Sequence, residues 1–145
     1  MRMESPSSAA RGLSVLIVDD DIEMARLIVA LLLDMGVTKI NRARDGQHAL
    51  RKVRQNRDRY DLIISDWEMP HVNGLDLLRS VRELHPDLPF LMLTVRAGSE
   101  EIRAAKDASV TGYISKPFQT RELQRKIMSI AEGRLRETED VFYVC

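Results

Sequence analysis

Three aspartates in a row, Asp19-Asp20-Asp21, follow directly on the short apolar run Val15-Leu16-Ile17-Val18. A fourth, Asp66, closes a second apolar run, Leu62-Ile63-Ile64, with Ser65 between. Thr94 follows a third run, Phe90-Leu91-Met92-Leu93, and Ser115-Lys116-Pro117 follows Gly112-Tyr113-Ile114. Carboxylates that converge repel one another unless a cation lies between them. A hard divalent ion with oxygen ligands relieves that repulsion, and Mg²⁺ suits such a set. Lys116 would add a fixed positive charge, and Thr94 a hydroxyl donor. Together they would make a socket for a phosphoryl group, in which a carboxylate can attack phosphorus. Asp21 is read separately as a helix cap, a position aspartate favours.

These residues converge only if the runs before them lie side by side. Each run is short and rich in aliphatic side chains, which suits a strand buried on both faces of a parallel sheet. Between the runs, apolar residues recur at helical spacing. Met24, Leu27, Ile28, Leu31, Leu32 and Met35 form one such stripe, ended by Gly36. Residues 45–55 carry Ala49, Leu50 and Val53 inward, and residues 75–84 carry Leu75, Leu78, Val81 and Leu84. Residues 38–43 form a weaker strand, residues 99–108 a polar helix, and Thr120 opens a last helix with Leu123, Ile127 and Ile130. Five strands alternating with five helices predict an α/β fold with a parallel sheet between two helical layers. In such sheets, ligands bind beyond the carboxyl ends of the strands, where the acidic and polar residues stand.

The chain has 145 residues, enough for one domain, here residues 13–132. Residues 1–12 read as a flexible tail, and residues 133–145 as an extension that turns from charged to apolar at Val141-Phe142-Tyr143-Val144. That apolar end is either frayed or packs on a partner or a second copy, so a homodimer is worth testing. With 22 basic and 22 acidic residues, no broad basic field is expected, which argues against nucleic acid or membrane as partner. A single cysteine, Cys145, points to a reducing, cytoplasmic setting.

The strings Val18-Asp19-Asp20, Ser65-Asp66-Trp67-Glu68-Met69-Pro70, Asn73-Gly74-Leu75, Leu93-Thr94 and Tyr113-Ile114-Ser115-Lys116-Pro117-Phe118 occur in that order, each at or near a strand end. In that order the set resembles the receiver domain of two-component response regulators, and the chemotaxis type most of all. The resemblance implies a flavodoxin-like (βα)5 fold with strand order 2-1-3-4-5. It also implies that Asp66 accepts a phosphoryl group from a sensor histidine kinase or a histidine phosphotransfer protein. Asp20, Asp66 and the backbone carbonyl of Glu68 would bind Mg²⁺, with Asp19 assisting. Lys116 and Thr94 would hold phosphoryl oxygens, Tyr113 would turn inward as Thr94 moves, and the Lys116–Pro117 bond would be cis. The polar helix, the last strand and the last helix would form the output face toward a downstream protein.

The chain departs from that pattern in places. Val95 stands where a small residue is usual, and would narrow the approach to Asp66 and the path of Tyr113. Asn73 stands where Asp is common, and Ser109-Val110 where Gly-Ala is common, which tightens the turn before the last strand. Glu68 and Arg96 occupy positions that tune how long the phosphate survives. They carry opposite charges and either pair across the mouth or stand as two solvated side chains. Two other roles stay open for a receiver: a phosphorelay shuttle, or a piece of a larger regulator or hybrid kinase. A remote rival is a haloacid-dehalogenase-type phosphatase with Asp19 as nucleophile and Asp21 as acid.

Overall fold

The computed structural model describes residues 10, 12–55, 60–95 and 98–133, and the backbone of 143–144. The elements run β1 (Ser14–Val18), α1 (Ile22–Asp34), β2 (Lys39–Ala43), α2 (Gly46–Gln55), β3 (Leu62–Asp66), α3 (Gly74–Leu84), β4 (Phe90–Thr94), α4 (Ser99–Asp107), β5 (Gly112–Ser115), α5 (Thr120–Ala131) and β6 (Tyr143–Val144). The sheet order is β2-β1-β3-β4-β5-β6, and every pairing is parallel. The first five strands take the 2-1-3-4-5 order that the resemblance implies. The sixth, two residues long, was not foreseen and lies in the apolar end of the extension.

Alternation along the strands divides the core in two. Val15, Ile17, Leu62, Ile64, Leu91, Leu93 and Ile114 face α1 and α5. Leu16, Val18, Ile63, Phe90, Met92 and Tyr113 face α2, α3 and α4. Successive side chains of a strand point to opposite faces, so an unbroken apolar run fills both cores at once.

The helices differ in detail from the expected stripes. In α3 the buried residues are Gly74, Leu77, Leu78 and Val81. Leu84, expected inside, sits in the last turn and is 41% exposed. Leu27 of α1 is likewise exposed, while Ala25 takes an inward place. Helical period fixes which residues share a face, but the helix's seat on the sheet decides how far along that face burial extends. Asp21 is the N-cap of α1, its carboxylate accepting the Glu23 N–H at 3.0 Å. For α5 the N-cap is Gln119, one residue before Thr120, and its N–H donates to the Glu122 carboxylate at 2.8 Å.

Two features brace the turn before β5. Ser109 adopts φ 66°, a left-handed conformation that glycine would take without strain. The Arg82 guanidinium, from α3, donates to the carbonyls of Ser109 at 2.9 Å and Leu88 at 2.6 Å. Of the N-terminal segment read as a tail, Ala10 is fully buried in the core under α1 and α5, and accepts the Leu13 N–H at 2.9 Å. The rest of that segment, apart from Gly12, lies outside the described residues.

Candidate functional site: an acidic mouth at the strand ends

The carboxyl ends of β1, β3, β4 and β5 lie side by side because the strands are in parallel register, Val18 with Ser65, Asp66 with Leu93, and Thr94 with Ser115. The ladder continues past the strands. Asp19 N–H donates to the Ala43 carbonyl at 3.1 Å, Trp67 N–H to Leu93 at 3.0 Å, and Lys116 N–H to Thr94 at 2.8 Å. The site residues are thus fixed by backbone pairing, not carried on loose loops.

Asp19, Asp20 and Asp66 each bring a carboxylate oxygen to within 4.8 Å of the others. Asp19 and Asp66 are buried, and Asp20 is exposed. The Lys116 ammonium lies 3.1 Å from Asp66 Oδ1. Thr94 is fully buried at the end of β4. The Lys116–Pro117 peptide bond is cis.

Burial sets the electrostatics. Loss of solvent pushes the Asp19 carboxyl up to about 6, with the Asp66 charge adding to the rise and the Asp21 N–H opposing it. Asp66 is also raised by burial, against the pull of Lys116 and of the Trp67 and Glu68 N–H groups. Asp19 Oδ1 accepts the Asp21 N–H at 2.9 Å, while Oδ2 is buried with no hydrogen-bond partner. An orphaned buried carboxylate oxygen beside two more carboxylates suits a hard divalent cation, which would supply the missing partner and cancel the repulsion.

Three residues contribute to the site in ways their place in the sequence did not specify. Arg42 is one arginine among several in the β2–α2 unit. Its guanidinium donates to the Asp19 carbonyl at 2.7 Å, tying the mouth to β2. Gly74 opens α3 so close to the end of β3 that a Cβ there would lie 2.5 Å from the Asp66 carbonyl oxygen and 2.8 Å from Trp67 Cα. Trp67 is buried, 7% exposed. Its ring meets Tyr113 edge-on, with centroids 6.2 Å apart and planes at 80°. Tyr113 is therefore turned inward, 1% exposed.

At the rim, Glu68 is exposed, and Val95 is 66% exposed, so its side chain is turned mostly to solvent. Arg96 lies outside the described residues, and with it the Glu68–Arg96 pair.

Comparison with known proteins agrees with this geometry. The family model described as "Response regulator receiver domain" matches residues 15–128. The chemotaxis protein CheY of Pseudomonas aeruginosa is 42% identical over 122 residues, covering 83% of this chain and 97% of that protein. The chemotaxis protein CheY-3 of Vibrio cholerae is 39% identical over 124 residues, covering 84% of this chain and 94% of its own length. Among solved structures, CheY4 of Vibrio cholerae superposes with a TM-score of 0.74 at 32% identity, over 81% of this chain and 98% of that one. The CheY of a CheX-CheY-BeF3-Mg+2 complex from Borrelia burgdorferi shares the fold, with a TM-score of 0.81 at 21% identity, over 88% and 98%.

Proposed function

This chain belongs to the response regulator receiver domain family, and from that premise we propose that it is a switch phosphorylated on Asp66 with Mg²⁺ as its metal. It is a phosphoacceptor signalling protein and not an enzyme of the usual kind. One observation carries the assignment of the acceptor: among the described residues, Asp66 is the member of the carboxylate cluster that forms an ion pair with the Lys116 ammonium.

The donor is a phosphohistidine of a sensor kinase or phosphotransfer protein. In the transfer, an ionised Asp66 oxygen bonds to phosphorus while the phosphorus–nitrogen bond to the donor imidazole breaks, leaving an acyl phosphate and a free histidine. Lys116 favours the ionised nucleophile that burial disfavours, and then faces the added negative charge. Asp20, Asp66 and the Glu68 carbonyl, with Asp19 assisting, would hold Mg²⁺, which would supply the remaining charge neutralisation. Thr94 donates its hydroxyl to a phosphoryl oxygen. Tyr113, inward against Trp67, carries the response toward the face of α4, β5 and α5, which meets a downstream protein. A cytoplasmic setting fits such partners, and among the described residues no helix is long and apolar enough to cross a membrane.

The phosphatase alternative has no support in this geometry. Asp21, which would have to act as acid, has its carboxylate engaged as the cap of α1, and Asp19 Oδ1 is held by the Asp21 N–H.

Acetyl phosphate and Mg²⁺ test the reading by intact mass. One phosphoryl group is expected, absent in Asp66→Asn and absent without Mg²⁺. An adduct that survives Asp66→Asn would place the acceptor elsewhere.

A further inference from the structure

The edge of the five-stranded sheet at β5 carries a strand that lies outside the family match. The matched region ends at residue 128, and the curated relatives are covered over 94–97% of their own lengths by 83–84% of this chain. β6 begins fifteen positions beyond that match, at Tyr143. It pairs in parallel with β5, Tyr113 opposite Tyr143 and Ile114 opposite Val144. A helix that returns antiparallel to its strand delivers the chain to the end where a parallel neighbour begins, so α5 and β6 extend the alternation by one unit.

An open sheet edge presents unpaired N–H and C=O groups, and an extended chain can add to it by main-chain pairing. The pairing needs strand-forming residues, and the run Val141-Phe142-Tyr143-Val144 is entirely β-branched or aromatic. The observed ladder spans two residues, so few backbone bonds hold it and exchange for another strand is feasible. Its register places it against Tyr113, the residue of β5 whose ring meets Trp67 beside the acceptor.

From this placement we infer that the outer edge of β5 is a strand-docking site whose resident occupant is the chain's own C-terminal segment. That this edge belongs to the output face rests on the receiver reading; the docking itself does not.

The test uses the 145-residue chain and a Tyr143→Pro/Val144→Pro variant, because proline removes the N–H donors a ladder needs. Amide exchange of Gly112–Ser115 is expected to quicken at least tenfold in the variant, with the amides of Ser14–Val18 unchanged. If those of β1 quicken too, the single Val144→Pro chain replaces it. The probe is a synthetic peptide of residues 137–145 carrying Cys145→Ser. It is expected to bind the variant saturably and the unaltered chain at least tenfold more weakly. Unchanged β5 exchange, no binding to the variant, or equal binding to both would overturn the inference. The measurements need neither Mg²⁺ nor phosphodonor, so failure of the receiver reading shows separately, as an absent adduct on Asp66.

Discussion

The Lys116 ammonium stands 3.1 Å from Asp66 Oδ1, against the pull of burial that raises the Asp66 carboxyl. The two residues come from β3 and from the end of β5, with β4 between them. The contact therefore spans two strand spacings and depends on the whole parallel stack being in register. It places a positive charge beside a carboxylate whose burial favours the protonated form.

Removing that cation should slow the chemistry more than it harms the fold. We expect Lys116→Met to take up phosphate from acetyl phosphate on the order of 10²-fold more slowly, the usual loss when a fixed charge stabiliser is deleted. Time-resolved intact mass reads the rate. A rate within a factor of two of the unaltered chain would remove Lys116 from the mechanism.

The carboxylate cluster makes an opposite prediction for stability. Without metal, Asp20→Asn relieves repulsion at an exposed position and should stabilise the chain by up to about 1 kcal/mol in urea unfolding. Added Mg²⁺ should stabilise the unaltered chain in proportion to the logarithm of its concentration, and the variant much less. Equal responses to Mg²⁺ would separate Asp20 from the metal.

Gly74 is where α3 and β3 nearly touch. A methyl group there overlaps the Asp66 carbonyl oxygen at 2.5 Å and Met92 Sδ at 2.8 Å. We expect Gly74→Ala to cost about 2 kcal/mol, as overpacking does, and to slow phosphate uptake by shifting the end of β3. Urea unfolding and the mass assay read the two effects independently.

Lys126 gives a pH signature far from the mouth. It is 2% exposed on α5, and burial pushes its ammonium down to about 8. Below pH 8 both folded and unfolded chains keep the proton, and the folded chain bears the full cost of burying a charge. Between about 8 and 10.5 the unfolded chain holds a proton the folded one has released, so stability rises with pH. Lys126→Met should be more stable by about 1 kcal/mol at pH 7, a figure reduced for residual screening, and that advantage should shrink as pH climbs past 8. Urea midpoints across pH 6–10 check it.

The sheet and its mouth were legible because their signals are local. A buried parallel strand is an unbroken apolar run, and Asp19, Asp66, Thr94 and Lys116 each follow one directly. What escaped depends on relations between elements. Leu84 has the right period for burial, but the seat of α3 on the sheet leaves it exposed. Arg42 reads like its neighbouring arginines until β2 is placed beside β1. Gly74 matters only through its distance to another backbone. β6 required knowing that the edge of β5 lies open to the returning chain, which no residue of the extension states.

The edge-on meeting of Trp67 and Tyr113 has an optical consequence. Trp67 is the single tryptophan of the chain, it directly follows Asp66, and its ring centroid lies 6.2 Å from that of Tyr113. Its emission is therefore an intrinsic gauge. Under the proposed switch, light collected from one indole would report charge arriving at Asp66 on one side and any movement of the Tyr113 ring on the other, without any dye attached to the protein.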